Sequence, residues 1–262
     1  LRQIESLAPR YRVIAIDGLG AVRSDAPVDP AAYRLEAMAT HVIALLDHLD
    51  IGQANLVGHD WGAAFAFGLV QRHPDRVRTV TGIGAPPQSV ILAGMADDPR
   101  IRQRAAYIER LKRASPLALI VTGSTRNVWT RAYAPLVEHG RLNADEADIF
   151  RKATGSPRRL NAHINWYRAN IPAPDAITDA SFWPSREARI RAPALVIWGA
   201  QDPVFADKYA GAIARIADDA TTMKIPDTGH WPHIDRADAV TAAIVGLVDT
   251  APRQGGDKPP VD

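Results

Sequence analysis

The nine residues LVGHDWGAA, Leu56 to Ala64, do most to limit what this chain can fold into. An apolar run passes into an alanine-rich run with only Gly58, His59, Asp60, Trp61 and Gly62 at the junction. A strand-like pattern that becomes helix-like without a loop needs a sharp turn in which the two backbones nearly touch. Small residues must then stand two positions before and after its apex. The apex here is an acid. Aspartate is a favoured helix cap, which gives Asp60 an ordinary structural reading. Its functional reading is that of a nucleophile already ionised at neutral pH, able to attack a saturated carbon without a base to free it first.

The rest of the chain supplies the sheet that such a turn requires. YRVIAID (Tyr11 to Asp17) is β-branched, closes on Gly18 and is expected as a buried strand. Asp29 before Pro30 signals a helix start, after which Leu35, Met38, Val42, Leu45, Leu46 and Leu49 recur at helical spacing. ANLVGH then predicts a strand, GAAFAFGLVQRH a helix ended by Pro74, and VRTVTGIG (Val77 to Gly84) a further strand. Strand and helix in alternation imply an α/β fold with a mostly parallel sheet flanked by helices.

From residue 86 to 191 the pattern is helical, with Pro-containing breaks and no convincing strand. PALVIWG (Pro193 to Gly199) and TTMKIP (Thr221 to Pro226) resume the sheet, and a helix from about Arg236 to Val248 follows. The expected organisation is an α/β core over 1–85 and 192–250, a helical lid inserted over 86–191, and a Pro/Gly-rich disordered tail over 251–262.

Composition removes several function classes. Of 262 residues none is cysteine, which excludes disulfides, thiolate chemistry and Cys-ligated metals. Thirty-one basic residues stand against 29 acidic ones, without a dense cluster, so neither nucleic acid nor an anionic membrane is an expected partner. The most basic stretch, RQRAAYIERLKR (Arg102 to Arg113), reads as a solvated helix face. No apolar run approaches the roughly 20 residues of a membrane span, and no signal-peptide pattern opens the chain, so a cytoplasmic location is expected. The histidines lack paired ligand spacing, so no metal is expected.

Two further residues change the weight of Asp60. Asp202 in WGAQDPVF lies just past an apolar strand, where open α/β sheets assemble their sites. An Asp before Pro203 is also a common turn residue. His230 in DTGHWPHID lies in a Gly-containing loop after the last strand, and alone would read as an ordinary half-buried histidine. Jointly they follow the order apex acid, acid, histidine, at separations of 142 and 28 residues, each just beyond a strand of one sheet.

This pattern resembles the α/β-hydrolase superfamily, in its Asp-nucleophile branch of epoxide hydrolases and haloalkane dehalogenases, over nearly the whole chain from YRVIAID to AAIVGLVDT. The resemblance implies Asp60 as nucleophile, His230 as base, Asp202 as the acid that orients it, and the Trp61 backbone N–H as an oxyanion donor. It implies no cofactor, with a small-molecule substrate and water as the partners. Tyr167 in NWYRAN resembles the second lid tyrosine of epoxide hydrolases, and Tyr107 in RAAYIERL stands about where the first falls. Either could also be a packed aromatic with its hydroxyl in water. GHW (Gly229 to Trp231) resembles epoxide hydrolases more than dehalogenases. Trp61 fits both, as a halide donor or as a pocket wall, and His59 is expected as a packed neighbour of the turn. Hydrolysis of an epoxide to a vicinal diol is the expected activity, with haloalkane dehalogenation as the alternative.

A non-catalytic binding or degenerate protein is the competing reading, motivated by the missing N-terminal segment, the first of two departures from the family. The family's H-G-x-P motif is missing: the one His-Gly pair is His139–Gly140, inside the helical insertion. The chain is therefore expected to begin downstream of that motif, with three early strands missing. In DGLGAVRSDAP (Asp17 to Pro27), Leu19, Gly20, Ala21 and Val22 stand where the family has an Arg-Gly-aromatic-Gly run.

Overall fold

Four strands form one parallel sheet in the computed structural model, in the order β1 (Ala54–His59), β2 (Val77–Ile83), β3 (Ala194–Gly199), β4 (Ala220–Ile225). The structure describes residues 2–115, 129–203 and 208–252, with Ala118 and Arg126. Residues 253–262 of the expected tail, and Val204 and Phe205 of the WGAQDPVF run, lie outside the described residues.

Every residue of β3 is buried, as expected for a central parallel strand covered on both faces. The register aligns the strands' C-terminal ends: His59 pairs with Ile83, Ile83 with Ile197, and Gly199 with Ile225. The segments carrying Asp60, Gly84, Asp202 and His230 all leave the sheet at this edge.

Helices cover both faces. α1 (Arg2–Leu7) comes first, then α2 (Leu35–His48) and α3 (Trp61–Arg72). α3 lies on one face, where Phe67 and Val70 join Val80 and Val196 in the main core. On the other face α11 (Ala237–Thr250) sets Val240, Ile244 and Val248 against Ile83, Leu195 and Ile197, with Leu7 of α1 packed beside them.

Between β2 and β3 the chain is helical. It forms α4 (Gln88–Asp97), α5 (Pro99–Lys112), a π-helical turn at Trp129–Tyr133, α6 (Ala134–Glu138), α7 (Ala144–Thr154) and α8 (Pro157–Asn170). α9 (Lys208–Ile216) precedes β4, and α10 (Pro232–Asp235) follows it. No helix among the described residues is long and apolar enough to cross a membrane.

Buried polar groups fix the helical segment to the sheet. The Asn170 side chain donates to the Tyr33 carbonyl (2.8 Å) and accepts from the Leu35 N–H (2.9 Å), and its own carbonyl accepts from Gln88 Nε2 (2.7 Å). Three backbone groups at the end of α8 and just before and at the start of α2 are satisfied together, so losing the Asn170 side chain would leave the Tyr33 carbonyl and the Leu35 N–H without these partners. Arg2 adds a second tie, bonding Glu146 of α7 and the carbonyls of Arg141 and Ile234.

One expected element is corrected. Tyr11 to Asp17 forms no strand and pairs with none of the four in the sheet, and Ile14 and Ile16 are 41% and 48% exposed. An apolar, β-branched run has the propensity for a strand, yet it becomes one only when a neighbour takes up its backbone N–H and C=O groups. The sheet ends at β1, whose outer side leaves Val57 exposed.

Candidate active site

The turn between β1 and α3 is as tight as its sequence demands. A Cβ built on Gly58 would lie 2.1 Å from the Gly62 carbonyl oxygen, so only glycine lets the two backbones pass. The requirement falls on Gly58 alone, because a Cβ on Gly62 would meet nothing within 4 Å. Asp60 at the apex has φ 54° and ψ −118°, a conformation that costs a non-glycine residue energy and clusters at functional positions. It is held there by its N–H on the Ile83 carbonyl (3.0 Å) and by its own carbonyl, which accepts from Ala63 and Ala64 (3.0 Å each).

Asp202 and His230 approach from the adjacent strands. The loops after β3 and β4 cross at Gly199, where a Cβ would sit 2.0 Å from the Gly229 carbonyl oxygen. The Gln201 N–H bonds the Thr228 carbonyl at 2.9 Å and locks the two loops together. The result is a continuous hydrogen-bonded chain: His230 Nε2 to Asp60 Oδ1 at 2.9 Å, and His230 Nδ1 to Asp202 Oδ2 at 3.0 Å.

Burial alone would lower the His230 imidazole, but the bonds and charges of Asp202 and Asp60 outweigh it and raise its pKa to about 9. Burial would likewise raise the Asp60 carboxyl. The bond and charge of His230, with the backbone N–H of Trp61, instead hold it below its ordinary value. At neutral pH the pair is an ionised Asp60 facing a protonated His230.

His59, read from sequence as a packed neighbour, is half-buried beside this chain. Its Nε2 donates to the His230 carbonyl at 2.8 Å, and its ring lies 4.9 Å from that of His230. Burial first, and then the charge of His230, push its pKa down to about 4, so His59 is neutral. Gly84, at φ +67°, makes room for this contact: a Cβ there would lie 3.3 Å from both His59 Nε2 and the His230 carbonyl oxygen.

Both sequence-predicted tyrosines line the pocket that contains Asp60 and Trp61. α8 is anchored by Asn170, one turn beyond Tyr167, and by the Trp166 indole on the Leu19 carbonyl (3.1 Å). Tyr167 itself packs edge-on to Trp61, with ring centroids 5.0 Å apart. Burial and then the Asp60 charge drive the Tyr167 hydroxyl well above its usual range. The same causes push Tyr107 up to about 12, and the two hydroxyls lie within reach of each other. Both stay protonated, as O–H donors opposite a carboxylate. The Trp61 indole N–H is buried near the Tyr167 hydroxyl and makes no full hydrogen bond among the described residues.

Sequence reasoning missed Tyr133, from the π-helical turn. It stacks on Phe150 (4.9 Å) and meets Trp231 (5.3 Å), and burial together with the Asp60 charge raises it to about 12. Its surroundings, RAYAP, carry no pattern that would have marked it. The pocket's aliphatic wall was missed as well: Ile101, Ala105 and Ile108 recur at helical spacing on α5 and line the pocket. His139–Gly140 lies in the exposed turn that ends α6.

A family model described as "alpha/beta hydrolase fold" matches residues 2–237. The chain belongs to that family. As an α/β hydrolase it is 28% identical to an epoxide hydrolase of Caballeronia sordidicola over 283 aligned positions, covering 95% of this chain and 83% of the other. A solved structure described as "Novel epoxide hydrolases belonging to the alpha/beta hydrolases superfamily in metagenomes from hot environments" superimposes with a TM-score of 0.80 at 27% identity. That match covers 94% of this chain and 85% of the other. The Bacillus megaterium epoxide hydrolase, solved in complex with an inhibitor, gives a TM-score of 0.82 at 18% identity, over 95% of this chain and 88% of that one, a likeness of fold. The homologues of this α/β hydrolase are thus epoxide hydrolase-like at distant identity.

Proposed function

We propose that this α/β hydrolase converts an epoxide and water to a vicinal diol through an alkyl ester on Asp60. The observation that carries the reading is the placement of two protonated tyrosine hydroxyls and an ionised, His-bonded carboxylate on the lining of one apolar pocket. An epoxide oxygen leaves as a strongly basic alkoxide, so its departure needs O–H donors facing the attacking group. Tyr107 and Tyr167 are such donors.

In the first step an Asp60 oxygen attacks a ring carbon and the C–O bond breaks. The electron pair goes to the ring oxygen, which takes a proton from the tyrosine pair; the His230 imidazolium, no longer facing the Asp60 charge, gives up its proton to restore the pair and is left neutral. In the second, water attacks the ester's carboxyl carbon and gives a proton to His230 Nε2, while Asp202 holds the ring by Nδ1. The Trp61 backbone N–H, already directed at the Asp60 carboxylate, bears the oxyanion. Collapse releases the diol and restores the Asp60 carboxylate.

Haloalkane dehalogenation is the second reading, favoured by the Trp61 indole N–H, a buried donor without a full hydrogen bond beside the nucleophile. Halide release from haloalkanes with no diol from epoxides would select it. The test of the main reading is intact-mass spectrometry of His230→Gln supplied with an epoxide. An adduct of the substrate's mass is expected, and it should vanish in the Asp60→Asn, His230→Gln double variant. A folded His230→Gln protein that gains no mass while the wild type produces no diol rejects the reading.

A further inference from the structure

The pocket that holds Asp60 ends at a thin wall. Ile101, in the first turn of α5, and Tyr209, on α9, line it from inside and also line a second cavity on the far side. That second cavity continues past Ser89 and Ala93 of α4 toward Asp97, Arg186 and Arg215. The two spaces differ in chemistry. On the Asp60 side the wall's neighbours are Ile91, Met95, Ala105, Ile108 and Ile171, with no charged side chain besides Asp60 itself. The far side adds four charged residues, Asp97, Asp98, Arg186 and Arg215, to its apolar ones, with the Arg186–Asp97 ion pair at 2.8 Å.

Ile101 is fixed between them. It is 7% exposed, and a Cβ built on Gly94 would lie only 2.6 Å from its Cδ1, so the side chain rests directly on the backbone of α4. A larger residue at 94 would push it off that seat. The helix start is fixed too: Asp98 caps α5 by accepting from the Arg100 N–H at 2.8 Å, and Pro99 opens the first turn.

We propose that Ile101 sets the length of the substrate's apolar substituent, as the side chain that closes the Asp60 pocket against the second cavity. Resting on the epoxide reading, this defines the substrate class as an uncharged epoxide carrying an apolar chain that runs along α5 and stops at Ile101. Replacing Ile101 by alanine joins the two spaces. Gly94→Ala, with Ile101 displaced from its seat, shortens the pocket.

The test uses straight-chain primary alkanols, which bind without reacting, titrated by calorimetry into the wild-type protein, Ile101→Ala, Ile101→Val and Gly94→Ala. Affinity should rise about fourfold per methylene until the chain meets the wall, and then level off. The levelling point should move to longer chains in Ile101→Ala, less so in Ile101→Val, and to shorter ones in Gly94→Ala. An unchanged levelling point in variants whose circular dichroism matches the wild type overturns the inference. Ile101→Val, which removes one methyl group, serves if the alanine variant does not fold. Kinetics on terminal epoxides of matching lengths separate the two claims. A wild type that hydrolyses the series while Ile101→Ala keeps the same length preference removes the inference and leaves the activity. A wild type that hydrolyses none, with alkanol levelling still set by residue 101, removes the activity and leaves the wall.

Discussion

The His230 pKa makes a stability prediction that reports on the Asp60 contact without any substrate. The imidazole lies at about 9 in the folded chain against an ordinary 6.5. A group whose folded value is raised contributes stability that is complete below its unfolded value and is lost as pH rises through the folded one. The gap corresponds to on the order of 3 kcal/mol, present below pH 6.5 and gone above about 9. Both carboxylates raise the ring, by a hydrogen bond and by charge. Asp60→Asn removes one of the two charges, and asparagine tolerates the positive φ at the apex better than most residues. The loss over the same interval should then shrink by roughly 1–2 kcal/mol. Urea unfolding of both chains at pH 6 and pH 9.5 measures it, and taking the difference between the chains cancels groups that titrate alike in each. The imidazole resonances of His230 followed by NMR give the site value directly. If the ring titrates near 9 in both chains, or both lose the same stability, Asp60 does not hold His230 and the electrostatic account of the site fails.

Other expectations follow from separate contacts. Tyr107→Phe and Tyr167→Phe should each slow ester formation on the order of 100-fold and leave hydrolysis of the formed ester unchanged, as resolved by rapid-quench mass spectrometry. Equal slowing of both steps would contradict a role toward the ring oxygen. Gly58→Ala should cost about 3 kcal/mol or more, because its Cβ would fall on the Gly62 carbonyl, whereas Gly62→Ala should be neutral or gain up to about 1 kcal/mol. Urea midpoints of the two variants check the contrast. His59→Ala removes the donor to the buried His230 carbonyl, an expected loss of about 1–3 kcal/mol. It should slow ester hydrolysis more than ester formation, with partial recovery in His59→Gln, and single-turnover rates decide between the two steps.

How far the sequence reveals this molecule depends on whether a feature is local. The turn at Asp60 was legible because its constraint lies within five residues and has one solution, a glycine where the backbones touch. The parallel sheet was legible because β3 is buried throughout, and its apolar run admits little else. Tyr11 to Asp17 misled for the complementary reason: strand formation depends on a neighbour that the run itself does not specify. In the site, Asp60, Asp202 and His230 could be read because each stands just past a strand, and the ends of parallel strands meet at one edge. Tyr167 was signalled by the residues around it, and its anchor is Asn170 of that same NWYRAN stretch. Tyr133 had no such marker, since its approach to Trp231 and Phe150 depends on how separate helices pack. Ile101 was visible only as one apolar position of a helix. That it parts two cavities follows from the meeting of α4, α5 and α9, which no spacing along α5 encodes.

The electrostatics also order the proposed reaction in time. In the resting chain the Asp60 charge is one of the causes that keep His230 protonated, so the imidazole is not yet a base. Forming the ester converts Asp60 to a neutral group and removes that charge and the bond it supports. The pKa of His230 then falls, with Asp202 still holding the ring. The imidazolium can release its proton as the alkoxide from the opened ring gains one through the tyrosine pair. Protons balance: the ring oxygen ends as a hydroxyl and His230 ends neutral, ready to accept from water. Hydrolysis returns both the Asp60 charge and the proton on His230. The base is thus withheld until the covalent intermediate exists. His59 fits this sequence because burial keeps it neutral beside a ring that cycles through a positive charge. A second cation there would depress His230 at the stage when Asp60 needs its partner charged.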